Sequence, residues 1–364
     1  MANLVALEMP IGDSLVNSIK TCADRQEAFT ILDPQLSPQR RNELLDILRP
    51  THLIDTSGYR QTLDGDPVDD GDGAVVVTSG SAGRPKAAVL TWEALEASAR
   101  LTTQALAREG EQRWLGALPA THIGGLAVIL RSVLAGSSLI FNGTIETGVE
   151  LGATHVAVVR TQLHRYDTSQ YQCVLLGGGP PPPEVAGNVT TTWGMTETGS
   201  GVLYDGQPLS GVELTVVDGE LLIKSPTLFR TYRNQPRPEV TVEGSTGWFP
   251  TGDGATMHNG LIVVQGRLAH VITSGGEKIW PEDLEQLFVA IDGITEVAVV
   301  GRDDEEWGQR VTIVAVSDRD ERALLEECRA IARERLGPWA QPKDIELVTA
   351  IPRTANGKIA RALL

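Results

Sequence analysis

The chain has 364 residues and a formal net charge of −16. That length predicts two or more domains, and the acidic balance argues against non-specific nucleic-acid binding and for a monomer or homodimer. No apolar run approaches the roughly 18–20 residues of a membrane span; residues 1–10 lack the basic start and apolar core of a signal peptide; and Cys22, Cys173 and Cys328 stand apart, which fits a reducing cytoplasm rather than a disulfide framework or zinc site.

Residues 1–70 carry few signals beyond helical spacing at 39–48, and 64–72 is an acidic Gly/Pro connection. The β-branched run 74–77 predicts a buried strand, followed by a hydroxyl- and glycine-rich loop at 78–86. A helix then starts near Thr91, a suitable N-cap, and spans 92–107. Short strands are predicted at 114–118, 138–141, 155–159, 174–176 and 189–192, with an apolar helix at 125–134. Strands alternating with helices indicate an α/β domain with largely parallel sheets.

From Gly211 the pattern becomes β-rich, with strands at 212–217, 220–224 and 261–265 and a hairpin signal at Asp218-Gly219. After Arg267 a second unit begins: a helix at 281–291 opening on proline, strands at 297–300 and 311–316, a helix at 321–336 and a strand at 345–348. The expected division is 1–267, with a β-rich part at about 211–267, followed by a small mobile α+β domain at 268–364.

The stretch 78–86, T-S-G-S-A-G-R-P-K, brings together Thr78, Ser79, Gly80, Ser81, Gly83, Arg84 and Lys86. Hydroxyls, free backbone N–H groups and two cations suit a polyphosphate; an ordinary loop is the alternative. It is not a Walker A loop, because two residues separate Gly80 from Gly83 and Ala87 follows Lys86.

Further along, W-G-M-T-E-T at 193–198 joins a ring, a glycine, a hydroxyl and a carboxylate. It suits a stacked base, a phosphate on Thr196 and Mg²⁺ on Glu197, or equally a capped strand end. Asp253, in T-G-D, can accept from a ribose diol or make an Asx-turn. Arg267 ends a strand, where it can reach a phosphate or ribose or lie solvated. Ser274, Gly275 and Gly276 open S-G-G-E-K, a turn that admits a narrow substrate arm or is a plain hairpin. Asn356-Gly357 would present Lys358 at a turn edge.

Taken in order along 78–358, these motifs together with G-R, S-G-G-E-K-I-W-P-E-D-L-E and P-R-T-A-N-G-K resemble the adenylate-forming acyl-CoA synthetase superfamily. A narrower likeness runs to its o-succinylbenzoate–CoA ligase branch, of menaquinone synthesis, in compact form. It is carried by L-P-A-T-H-I-G-G (118–125), A-T-H-V-A-V-V-R-T-Q-L (153–163), V-L-L-G-G-G (174–179) and D-G-Q-P-L-S-G (205–211).

The resemblance implies two half-reactions, with ATP and CoA as co-substrates, Mg²⁺ as cofactor and an aromatic dicarboxylic acid as substrate. It places 78–86 on the β- and γ-phosphates, and Gly178, Gly179 and Trp193 around adenine. Thr196 falls on the α-phosphate, Glu197 on Mg²⁺, and Asp253 with Arg267 on the ribose. Lys358 serves adenylation; Ser274, Gly275 and Gly276 face CoA. His122, Arg160, Thr161, Gln162, Gly177, Gly194 and Met195 fall around the acid, His122 in a gating or packing role and Arg160 equally readable as a surface cation. A domain rotation about a hinge just after Arg267 is expected between the steps.

The sequence departs from the superfamily pattern at Ala87, where glycine is usual; at Trp193, where Tyr or Phe is usual; and at Ala269-His270, which lack the acidic hinge residue. The alternatives are another aryl- or acyl-CoA synthetase, a module that loads a carrier protein, and a catalytically silent nucleotide-binding relative.

Overall fold

The structure, a computed structural model, describes residues 1–78, 85–182, 184–233, 235–353 and 359–364. The chain divides into two compact units, 1–215 with 222–250, and 216–221 with 251–364.

The first unit is built on two seven-stranded sheets. In one, Leu4–Glu8, Ala28–Leu32, His52–Ile54 and Asp72–Thr78 run parallel at the centre. Lys86–Thr91, Thr231–Tyr232 and Arg60–Thr62 add antiparallel edges. In the other, Ser138–Ile140, Arg113–Leu115, His155–Val159, Cys173–Gly177 and Val189–Met195 are parallel, with Ser200–Tyr204 and Gln207–Pro208 antiparallel at one edge.

Both faces of the central strands are buried. Val5, Leu7, Phe29, Ala74, Val76, Ala88 and Leu90 face one apolar cluster, while their neighbours Leu4, Ala6, Ala28, Val75, Ala87 and Val89 face another. Side chains alternate across a strand, so a run apolar at every position has to be covered on both sides. The helices Asp13–Asp24, Trp92–Ala105 and Ile123–Ala135 supply Leu15, Leu95 and Ile129 to the first cluster. Thr91 caps its helix as expected, its hydroxyl accepting from the Ala94 N–H at 3.1 Å.

One strand differs from expectation. Residues 86–91, to which the sequence assigns no element, pair antiparallel with Asp72–Thr78, Thr78 opposite Lys86, ahead of the helix that starts at Trp92 as expected. The N-terminal residues, weakly signalled in sequence, supply four strands of that sheet.

In the second unit Ile272–Ser274, Glu277–Ile279, Ile294–Asp304, Gly308–Ser317 and Asp344–Leu347 form a five-stranded sheet. Pro281–Phe288 and Glu321–Arg335 pack on it through Leu284, Phe288, Leu324, Cys328 and Ala332. The last three recur every four residues, the spacing of one helix stripe. This unit also holds the antiparallel pairing of residues 253–258 with Leu261–Arg267. Among the described residues no helix is long and apolar enough to cross a membrane.

Candidate active site

In the first unit, candidate residues gather at the carboxyl ends of neighbouring parallel strands, where open α/β sheets hold ligands. His155–Val159 leads into Arg160, Cys173–Gly177 into Gly178 and Gly179, and Val189–Met195 into Thr196 and Glu197. Arg160 and Gln162 are half-buried and Thr161 exposed, in the first turn of Arg160–Arg165. Gln162 Oε1 accepts from the Val159 N–H at 3.1 Å, which engages that amide in capping. His122 precedes Ile123–Ala135, half-buried, its carbonyl accepting from the Leu126 N–H.

Trp193 and Met195 pack against the main core. Gly194 permits close strand approach: a Cβ there would strike the Ser200 backbone. The capping in W-G-M-T-E-T is done by Thr198, whose hydroxyl accepts from the Met195 N–H at 2.9 Å and lies 2.7 Å from the Ser200 carbonyl. Thr196 and Glu197 lead the same short turn.

Glu197 is 6% exposed, and its Oε1 accepts from the Tyr232 hydroxyl at 2.9 Å. Lys86 places its ammonium 4.9 Å from the centroid of the Tyr232 ring, within reach of a cation–π attraction. Thr78 faces Lys86 at the base of the loop. Ser79, Gly80, Ser81, Gly83, Arg84 and Lys358 lie outside the described residues.

Sequence reasoning missed Arg131, in the middle of the apolar helix Ile123–Ala135. Its side chain is 2% exposed and stacks 4.3 Å from the Trp114 ring centroid. One nitrogen donates to Ser200 Oγ at 3.3 Å, while Nε and the other terminal nitrogen are buried without a hydrogen-bond partner among the described residues. Burial pushes its pKa down. A lone arginine inside I-G-G-L-A-V-I-L-R-S-V-L is visible in the sequence and was the available signal.

In the second unit Asp253 and Arg267 come together, Nε to Oδ1 at 2.9 Å. Arg267 also donates to the Thr251 carbonyl at 2.8 Å, and Thr251 Oγ1 accepts from the Asp253 N–H at 3.1 Å. Gly275 and Gly276, at φ +59° and +88°, form the two-residue turn between Ile272–Ser274 and Glu277–Ile279, with Ser274 buried beside them. Left-handed backbone at both positions favours glycine, and the Trp307 ring closes one side of Gly275.

Either side of Lys358 the chain is anchored. Arg353 pairs with Glu296 at 2.7 Å, and the Ala360 N–H donates to the Pro352 carbonyl at 2.8 Å. Arg361 grips both oxygens of Glu285, at 2.6 and 2.9 Å, and lies 3.4 Å from Glu282. Glu282 also faces His270 at 3.6 Å, just after Arg267.

The AMP-binding enzyme model matches residues 14–233, and the AMP-binding enzyme C-terminal domain model matches 283–358. The chain belongs to the AMP-binding enzyme family. It is 35% identical to a probable 2-succinylbenzoate–CoA ligase of Mycobacterium tuberculosis (strain CDC 1551 / Oshkosh), over 82% of this chain and 85% of the relative. A 2-succinylbenzoate–CoA ligase of Enterococcus faecalis (strain ATCC 700802 / V583) is 31% identical, over 86% of this chain and 73% of its own. Solved structures of o-succinylbenzoate CoA synthetase from Bacillus subtilis, with the acyl-adenylate intermediate OSB-AMP and with ATP and magnesium ion, match at TM-scores of 0.83 and 0.84 and 23% identity. Each covers 99% of this chain, and 87% and 88% of the solved chains are covered in turn. At that identity the likeness carries the α/β fold, with its large N-terminal and small C-terminal domains, as expected from the sequence.

Proposed function

We propose that the chain ligates o-succinylbenzoate to CoA through an acyl-adenylate. The substrate carboxylate attacks the α-phosphorus of ATP and pyrophosphate leaves. The CoA thiol then attacks the acyl carbon, loses its proton, and AMP leaves with the electron pair of the broken C–O bond. The observation that carries this reading is the match of more than four-fifths of the chain to ligases of that name, 82% and 86% of it.

No general base is needed in the first step, since a carboxylate is already ionised near neutral pH. Catalysis rests on positioning and on charge stabilisation. Residues 78–86 hold the β- and γ-phosphates, with Thr78 and Lys86 at the base of the loop. Gly178, Gly179 and Trp193 line the adenine, Thr196 meets the α-phosphate, and Asp253 with Arg267 holds the ribose. Lys358 meets the oxygens where charge builds, an interaction strongest in the transition state. The turn at Gly275 and Gly276 admits the pantetheine arm beside Ser274.

Glu197 fits a magnesium ion: it is a buried carboxylate whose hydrogen-bonding side chain among the described residues is the neutral Tyr232, and hard cations that bridge phosphates take such oxygens. When bound, the ion neutralises charge on the phosphate oxygens.

The acid is o-succinylbenzoate, held near His122, Gly177, Gly194 and Met195, with Arg160, Thr161 and Gln162 along the helix that follows Val159. Arg131 answers its second carboxylate. A buried guanidinium with two unpartnered nitrogens is costly unless a ligand completes it, and Ser200, which it touches, pairs with Met195 in the active-site strand. The enzyme acts in the cytoplasm as a monomer or homodimer. The 268–364 domain changes pose between the two steps, with its hinge in Leu268–His270.

Incubation with ATP, Mg²⁺, CoA and a panel of aromatic and aliphatic acids tests the reading. Pyrophosphate and thioester should both form fastest with o-succinylbenzoate. Faster turnover of another acid refutes the substrate, and pyrophosphate release without a CoA thioester favours a carrier-loading enzyme.

A further inference from the structure

We infer that Tyr232 is a positioning residue for the metal-binding carboxylate, aiming Glu197 through its hydroxyl. This rests on the proposed role of Glu197.

Glu197 is fixed at two points by one short segment. The Phe229 N–H donates to the Glu197 carbonyl at 2.8 Å, and the Tyr232 hydroxyl donates to Oε1 at 2.9 Å. That segment is itself held firmly. Thr231 and Tyr232 pair with Val89 and Ala88 on the strand that follows the phosphate loop. The Arg230 guanidinium grips both oxygens of the fully buried Asp72 at 2.8 Å. Arg233 donates to the Leu48 carbonyl at 2.6 Å. The Phe229 ring packs 4.7 Å from Tyr232 and 5.2 Å from Phe249.

A tyrosine held this way offers one donor in a fixed place. Binding one carboxylate oxygen restricts rotation of the group and leaves the other oxygen to face a cation, the usual logic by which outer partners orient metal ligands. The same ring carries the Lys86 ammonium on its face. Tyr232 thereby links the two charges that meet the triphosphate: it aims the carboxylate with its hydroxyl and seats the phosphate-loop lysine with its ring. Tyr232→Phe removes the first function and keeps the second.

The test is calorimetric binding of ATP to the full chain over a Mg²⁺ titration, without acid or CoA, beside AMP binding in EDTA and thermal melting. Tyr232→Phe should raise the Mg²⁺ concentration for half-maximal ATP binding by roughly ten- to a hundredfold, while AMP affinity stays within about twofold and the melt stays cooperative. A purely structural hydrogen bond would lower the melting temperature and leave the Mg²⁺ dependence alone; that result overturns the inference. Glu197→Gln separates the two layers of argument. If it shifts the Mg²⁺ dependence and Tyr232→Phe does not, only the positioning role fails. If neither does, the assignment of Glu197 fails and the inference falls with it.

Discussion

Arg267 and Asp253 face each other across an antiparallel pair, Nε to Oδ1 at 2.9 Å, with the guanidinium also bonded to the Thr251 carbonyl. The arginine therefore orients the carboxylate before any nucleotide arrives, and a preset acceptor suits two vicinal hydroxyls. Asp253→Asn should raise KM for ATP by at least tenfold. It should also abolish discrimination against 2′,3′-dideoxy-ATP, which the unaltered protein should bind poorly. Equal losses with both nucleotides would show that Asp253 does not read the ribose.

Arg131 separates function from stability. Replacing a buried, incompletely paired charge by an apolar side chain is often neutral or stabilising by about 1–4 kcal/mol. Arg131→Leu should therefore melt no lower than the parent, yet lose kcat/KM for o-succinylbenzoate by about a hundredfold or more. Aroylpropionic acids, which keep the reacting side-chain carboxylate and lack the aromatic one, should lose far less. A uniform loss across acids would make Arg131 a structural element.

The Arg361 clamp gives a pH dependence whose sign can be worked out. Glu282 has its carboxyl held below the ordinary value by His270 and Arg361 against the opposing effect of burial. Its contribution to stability is therefore present above the unfolded carboxyl pKa and lost as pH falls through the folded one. Burial pushes Glu285 the other way, with Arg361 opposing it. In Arg361→Ala the two buried carboxylates face each other without that cation, and both pKa values rise. Stability should then be greatest at low pH and decline as pH rises from 5 to 8. At pH 7 the loss should be about 3–5 kcal/mol, read by denaturant melts. A variant as stable at pH 8 as at pH 5 contradicts the clamp.

The three thiols are buried and free, and burial pushes Cys22 and Cys328 up to about 12. Reactivity follows the thiolate, so iodoacetamide at pH 8 should leave the folded protein unlabelled and fully active, and label all three cysteines in denaturant. Rapid labelling with loss of activity would place a thiol in the site.

The strands at 74–77, 155–159 and 174–176 were legible because burial on both faces writes a run that is apolar at every position but His155. Lys86–Thr91 was not: K-A-A-V-L-T has two alanines and little β propensity, and it is a strand because Asp72–Thr78 pairs with it. Ser245–His258 was hidden by Gly247, Pro250, Gly252 and Gly254, which read as turns. In the site, local motifs such as W-G-M-T-E-T announced themselves. Tyr232 and Arg131 did not, since their partners Glu197 and Ser200 lie 35 and 69 residues away in sequence.

The most direct measurement is a single-turnover experiment with ATP, Mg²⁺ and o-succinylbenzoate, CoA withheld, followed by mass spectrometry and then a CoA chase. The expected result is about one o-succinylbenzoyl-adenylate per chain with an equal amount of pyrophosphate, converted on the chase to o-succinylbenzoyl-CoA and AMP. Absence of the adenylate, or an adenylate that CoA does not discharge, would contradict the account.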